Sequence, residues 1–176
     1  MPRGNYRHFL KLFLRGEVDT LILEVREQET DRLRAVIDRF GGDPAQSGFF
    51  WFDTVDGKSF AINLGVIQAV HFLWDPTPLP ADLTRYDGPI VIALRDRGQK
   101  IETDTESPEQ VYGFFTELEH GPEVVPFPGF EDEDGETLLI RASEIAYVMA
   151  PLYLIEEGRQ IVSEELNGSD PNAEDA

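Results

Sequence analysis

The chain has 176 residues and a hydrophobic content of 41%, so it can bury a substantial core as one large domain or two small ones. Its 34 acidic and 15 basic residues give a net charge of −19, which repels nucleic-acid phosphates, and we expect no direct nucleic-acid binding. The absence of cysteine excludes disulfides, thiolate metal ligands and cysteine nucleophiles.

The N-terminal sequence lacks the features of a signal peptide. Residues 1–20 have no long apolar centre followed by a small-residue cleavage site, and no run of about 18 apolar residues occurs anywhere in the chain. The sequence therefore predicts a cytoplasmic protein that does not associate with membranes.

The first elements in chain order are a β-hairpin and an amphipathic helix. Leu10, Leu12 and Leu14 alternate with other residues before a break at 15–17, and a second strand is expected from 20 to 25. Apolar residues then repeat at helical spacing, at Leu33, Val36, Ile37 and Phe40. The pattern predicts β-β-α.

The next segment, FFWFDTVDGKSFAINLGVIQAV at 49–70, predicts a second hairpin. An aromatic strand leads to a two-residue turn at Asp56-Gly57 and an alternating strand, and a short final strand or turn follows. Consecutive aromatic residues place apolar groups on both faces of the first strand. We therefore expect Phe50 or Trp51 to contact the other half of the chain, a second chain or a ligand.

The remaining sequence repeats the first part after three prolines. Shifted by 78 residues, 29–70 aligns without a gap on 107–148 with eight identities, which fall at turn and core positions. The first strands align at a shift of 80. In the second helix Ser107 is an expected N-cap, and Gln110 completes a predicted capping box. Asp134-Gly135 repeats the turn.

These patterns predict an α+β fold built by internal duplication of a ββαββ(β) unit. The two antiparallel-sheet repeats, each with one helix, are expected to pack as a pseudo-twofold dimer. The expected organisation is a first repeat at 1–74, a Pro-rich linker at 75–88, a second repeat at 89–162 and a disordered acidic tail at 163–176.

Catalytic and metal motifs are not found in the sequence. The acidic run at 131–136 does not fit a calcium-binding loop, because Arg141 falls where the last carboxylate ligand is required. His8, His71 and His120 lack metal-ligand spacing, and no serine-nucleophile or phosphate-binding motif occurs. We predict no catalytic residue, metal or cofactor.

Three functions are compatible with the sequence. The main hypothesis is a non-catalytic interaction or regulatory module that binds a protein partner or self-associates through an aromatic or edge-strand surface. The second is a small-molecule-binding protein or hydrolase with a pocket between the repeats near Trp51, His71 and Trp74. The third is an acidic mimic of nucleic acid. Candidate binding residues are Phe50, Trp51, His71 and Trp74.

Overall fold

The computed structural model describes residues 6–40, 48–75 and 85–168. Within these ranges the chain is a mixed α+β fold with three α-helices and antiparallel sheets, as predicted. The elements of the first half are β1 (Arg7–Leu14), β2 (Leu21–Val25), α1 (Glu27–Phe40), β3 (Phe49–Asp53), β4 (Lys58–Asn63) and β5 (Ile67–Asp75). Those of the second half are β6 (Ile90–Leu94), β7 (Ile101–Thr103), α2 (Pro108–His120), β8 (Gly129–Glu131), β9 (Thr137–Leu139), β10 (Ile145–Pro151) and α3 (Leu152–Gly168).

The hydrophobic periodicity of the sequence accounts for which side chains are buried. The predicted stripe of α2 is fully buried, at Val111, Phe114, Phe115 and Leu118. In α1 the equivalent stripe is less complete, since Leu33 is buried while Ile37 is 38% exposed. Helix α2 therefore covers its sheet more completely than α1 does.

The strands form three antiparallel groups, and the two halves share one of them. A five-stranded sheet has the order β3-β4-β10-β6-β7, so β4 of the first half pairs with β10 of the second. Asn63 strengthens this seam, because its buried side-chain amide donates to the carbonyl oxygen of Ile145 at 3.0 Å. The other groups are the sheet β2-β1-β5, called here the open sheet, and the hairpin β8-β9.

The core is divided between the two faces of the five-stranded sheet. One face is covered by α2 and α3, in a cluster that includes Phe49 and Ala61 from the first half. The other face packs against the open sheet and α1, in a cluster that includes Phe50 and, from the second half, Tyr147. Adjacent residues of β3 thus belong to different clusters, as expected for a strand that is apolar on both faces.

Element order and strand register recur in the two halves. Leu12 of β1 lies opposite Val70 of β5, and at shifts of 80 and 78 residues Ile92 lies opposite Val148. Each ladder also shifts its register at the equivalent place, beside Leu14 and beside Ile145. The final strands are longer than predicted: β5 has nine residues and β10 has seven, because neither segment contains a residue that breaks the strand before its end.

The two Asp-Gly turns also share one geometry, which differs from the predicted two-residue turn. Gly57 donates to the carbonyl of Thr54 and has a φ of 81°, and Gly135 donates to the carbonyl of Asp132 and has a φ of 77°. These are three-residue loops with glycine in the left-handed region, which is the common alternative for a tight hairpin.

The hairpin β8-β9 is attached to α2 instead of to β5. The side-chain oxygen of Gln110 accepts a hydrogen bond from the backbone N–H of Glu131 at 2.8 Å, and the Thr105 hydroxyl donates to the Glu131 carbonyl at 2.7 Å. The predicted capping box is therefore wrong: Ser107 makes no side-chain cap hydrogen bond, because Gln110 is engaged by a strand distant in sequence.

Helix α3 closes the second half and extends past residue 162. It packs on α2, where Gly158 lies against the carbonyl of Pro108. Residues 163–168, which the sequence places in the acidic tail, belong to this helix. Glutamate and leucine favour helix in the absence of a breaker, which accounts for the continuation. The predicted tail residues 169–176 and most of the linker, at 76–84, lie outside the described residues.

Candidate functional site

The four candidate binding residues lie on different parts of the molecule. Phe50 is buried at 4% exposure, stacked on Phe52 in the core. Trp51 is half-buried and packs its ring on Tyr112 and Phe115 of α2. His71 and Trp74 both lie on β5, but on opposite faces of the open sheet. The structure thus does not bring Trp51, His71 and Trp74 into one pocket.

Strand β5 is an unpaired edge within the part of the chain that the structure describes. It is a long strand of nine residues, and its pairing there is with β1 alone. The equivalent strand β10 is flanked on both sides, by β6 and by β4. One edge of β5 therefore presents backbone hydrogen-bonding groups to which no described strand pairs.

The side chains of β5 do not protect this edge. Edge strands normally carry charges that discourage pairing with another chain. Strands β2, β3 and β7 each contain a carboxylate, at Glu24, Asp53 and Glu102, whereas β5 has no acidic or basic side chain other than His71 before its last residue, Asp75. The β5 edge thus has the features of a docking edge.

The outer face of the open sheet is apolar and half-exposed. Phe13 is 37% exposed and Ile22 is 59% exposed, and the partly covered Phe9 and Leu73 lie opposite each other on the same face. None of these side chains belongs to either buried core cluster or to the residues packed against it. The outer face and the β5 edge adjoin one another and together form one surface.

Charges on this outer face are balanced, in contrast to the molecule as a whole. Arg7 makes two hydrogen bonds to the carboxylate of Glu24, at 2.7 and 2.9 Å. The ammonium of Lys11 lies 5.5 Å from the Phe13 ring, and Asp75 lies opposite Arg7 in the register. Two basic and two acidic side chains make this face neutral in a chain whose net charge is −19.

A shallow cleft adjoins the other face of β5. It has a volume of about 250 Å³ and lies between α1 and the end of the strand, where the Arg34 guanidinium is 4.4 Å from the Phe72 ring. Trp74 borders it, is 65% exposed and contacts the ring of Tyr6 at 5.3 Å. An exposed tryptophan here extends the apolar surface of the β5 edge.

A second cleft, of about 270 Å³, lies beside Trp51 where the two halves meet. Arg32 reaches across it to donate to the carbonyl of Trp51 at 3.1 Å, and its guanidinium also pairs with Glu29. The Arg159 guanidinium lies 5.7 Å from the ring centres of both Trp51 and Tyr112. Guanidinium groups beside an indole can hold a planar anion by stacking and charge.

The chemistry of this cleft is that of binding. The described residues that line it are Arg32, Trp51, Phe52, Asp53, Glu119 and Arg159. None of them is a hydroxyl, thiol or imidazole group of the kind that serves as a nucleophile with its base. The lining therefore offers recognition groups for a ligand.

The acidic turn at 131–136 is accounted for by its own hydrogen bonds. One carboxylate oxygen of Asp132 accepts from the backbone N–H groups of Asp134 and Glu136, at 3.0 and 2.8 Å. Among residues 6–40, 48–75 and 85–168 no three side chains of His, Asp or Glu group as metal ligands would. The described helices include none that is long and apolar enough to cross a bilayer.

Comparison with known proteins finds no match to the chain, whether among protein-family models, curated proteins or solved structures. The β5 edge itself was only partly foreseen in the sequence. The signal that indicates it is the uncharged stretch IQAVHFLW at 67–74, which is long enough for a full strand.

Proposed function

We propose that the protein is a non-catalytic interaction or regulatory module whose docking surface is the β5 edge with the adjoining outer face of the open sheet. The observation that carries the proposal is the contrast between β5 and β10. The two strands are equivalent in register, yet β10 is paired on both sides and β5 on one. An uncharged edge of this length favours a partner that adds a strand.

We also propose that the two halves derive from duplication of a ββαββ(β) unit and are related by a pseudo-twofold axis. The recurring register and the matching Asp-Gly turns support this origin. The equivalent hairpin loops contact each other at Gly16 and Asp96, which both have positive φ angles. Loops that meet their own counterparts are typical of a twofold arrangement.

Docking by strand addition assigns different roles to backbone and side chains. Hydrogen bonds from the exposed edge of β5 provide affinity that depends little on sequence, and alternating side chains provide specificity. On the outer face these side chains are Ala69, His71 and Leu73, while Val70 and Phe72 pack toward the core. Recognition would therefore rest mainly on the outer face.

The proposal is tested by capture of partners with bait proteins that differ at one exposed position. His71→Glu adds a charge to the β5 edge, and His71→Gln is the matched uncharged control. We expect a partner, or a second copy of the chain, to be retained by wild type and His71→Gln and lost from His71→Glu. Equal capture by all three baits would show that the β5 edge is not the docking surface.

A second candidate function is binding of a small aromatic anion in the Trp51 cleft. The stacking position of Arg159 beside Trp51, in a cavity of about 270 Å³, favours it. We expect such an anion to raise the melting temperature of the wild-type protein and of Trp74→Phe, which lies at the other cleft. Arg159→Gln should abolish the shift; an unchanged shift in that variant would remove this candidate.

A further inference from the structure

The occupied edge of β10 defines which part of β5 is available. Strand β4 pairs with β10 from Tyr147 to Pro151. At the shift of 78 residues these positions correspond to 69–73, from Ala69 to Leu73, with His71 at the centre. The β5 edge thus offers a five-residue ladder equivalent to one that already forms a stable seam within the molecule.

Neither the equivalent strand of this chain nor its following segment is suited to fill that edge. Strand β9, which corresponds to β4, has three residues, pairs with β8, and belongs to a hairpin anchored on α2. The sequence that follows β5 contains Pro76, Pro78 and Pro80, and proline has no N–H to donate to a ladder. The strand that completes β5 is therefore expected from another chain.

Charge and symmetry identify that chain as a second copy. Two chains of net charge −19 repel each other over most of their surfaces, but the outer face beside β5 is neutral. The strand itself is uncharged from 67 to 74 apart from the titratable His71, so antiparallel pairing of β5 with itself brings no carboxylates into opposition along the ladder. Antiparallel self-pairing also satisfies a twofold axis, which is the commonest symmetry of soluble oligomers.

We propose that two copies of the chain pair through β5 in antiparallel register about a twofold axis at His71, forming one continuous six-stranded sheet from two open sheets. In this register His71 faces His71 of the partner subunit, and Ala69 faces the partner's Leu73. The proposal rests on the β5 edge being the docking surface and specifies its occupant.

A single introduced cysteine tests the register directly, because the natural chain contains none. Directly opposed residues have Cβ atoms about 4.5–5.5 Å apart, close to the separation that a disulfide spans. We expect His71→Cys to form a covalent dimer under mild oxidation at near-complete yield. Ala69→Cys is the matched control: its two copies would be about 13 Å apart along the strands and should not cross-link. Cross-linking of both variants at equal low yield would overturn the register.

Sedimentation equilibrium separates this inference from the proposed function. Wild type and His71→Gln should sediment with twice the mass of one chain, and His71→Glu should sediment as a monomer, since like charges directly opposite destabilise a strand pair. Circular dichroism should show that the exposed His71 variants are folded. A wild-type monomer at high micromolar concentration would overturn self-pairing. The docking proposal would still stand if His71→Glu lost a different protein partner that wild type retained.

Discussion

Gly16 is the residue at which the two halves approach most closely through their hairpin loops. It has a φ of 83°, and a Cβ atom there would lie 2.9 Å from the backbone nitrogen of Asp96. We predict that Gly16→Ala lowers the free energy of unfolding by about 1–3 kcal/mol, because it adds left-handed strain to a backbone clash. Urea unfolding followed by circular dichroism would measure the change.

The matched control is Gly98, in the equivalent loop of the second half. A Cβ atom on Gly98 would meet no atom within 4 Å. Gly98→Ala should therefore leave the urea midpoint nearly unchanged. A loss of stability as large as that of Gly16→Ala would show that the loops respond to any side chain and not to the contact with Asp96.

The Asp56 carboxylate provides a prediction about pH. Partial burial would raise its pKa, but the hydrogen bonds from Thr54 and Lys58 and the positive charge of Lys58 outweigh this, so its pKa lies below the ordinary value. A carboxyl group with a lowered pKa stabilises the fold above its unfolded value of about 3.9, and the stabilisation is lost as the pH falls through the folded pKa.

We therefore expect Asp56→Asn to be less stable than wild type at neutral pH, by under about 1 kcal/mol because the pair is partly exposed. The difference should shrink progressively below about pH 4. Thermal unfolding from pH 3 to 7 would measure it. Asp134→Asn, at the equivalent turn position followed by Glu136 instead of a lysine, should lack this loss at neutral pH. A constant difference across the range would contradict the assignment.

At single positions the sequence predicts those features that depend on neighbours along the chain. Both Asp-Gly turns have glycine at positive φ as expected, because the backbone requirement is local. The role of Gln110 could not be predicted, since its partner is the backbone of Glu131, which reaches α2 only after folding. A capping motif and a tertiary hydrogen bond compete for the same amide, and the sequence alone does not decide between them.

Packing of α3 on α2 depends on one glycine. A Cβ atom on Gly158 would lie 2.2 Å from the carbonyl oxygen of Pro108 and 2.8 Å from the Tyr112 side chain. We predict that Gly158→Ala destabilises the protein by about 1–3 kcal/mol, since the helices must separate to admit a methyl group. The urea midpoint and the near-ultraviolet circular dichroism of the aromatic residues would report the change.

Gly113 in α2 is the matched control for this helix pair. A Cβ atom there would meet nothing within 4 Å, and alanine has a higher helix propensity than glycine. Gly113→Ala should therefore stabilise the protein by up to about 1 kcal/mol. If both variants were stabilised, the close approach of α3 to α2 at Gly158 would be contradicted.

For whole elements, periodicity predicts type better than extent. The stripes of both helices and the alternation in β1 place these elements correctly. Strand β5 was expected to be short because the repeat was recognised only as far as Val70, although the strand continues to Asp75. Strand length depends on pairing with β1, and the sequence does not display which strand is the partner.

At the scale of the molecule, the sequence predicts the repeated order of elements but not how the halves join. Nothing in the pattern of β4 distinguishes pairing with β10 from pairing within its own half. The aromatic strand β3 indicates contacts on both faces, and in the structure these are the two core clusters on either side of the shared sheet. The asymmetry that leaves β5 unpaired follows from the attachment of the β8-β9 hairpin to α2.

The shared sheet predicts that the two halves unfold together. Trp51 belongs to the first half but packs on Phe115 of the second, so its fluorescence reports contact between them. Because the chain has two tryptophans, Trp74→Phe isolates this signal, and Trp51→Phe isolates that of the open sheet. In each variant we expect the urea transition seen by fluorescence to coincide with that seen by far-ultraviolet circular dichroism, as for a two-state domain. The seam between β4 and β10 and the core clusters that cross it leave neither half a complete core of its own. A Trp51 transition at lower urea than the circular dichroism transition would instead show that the halves separate before they unfold.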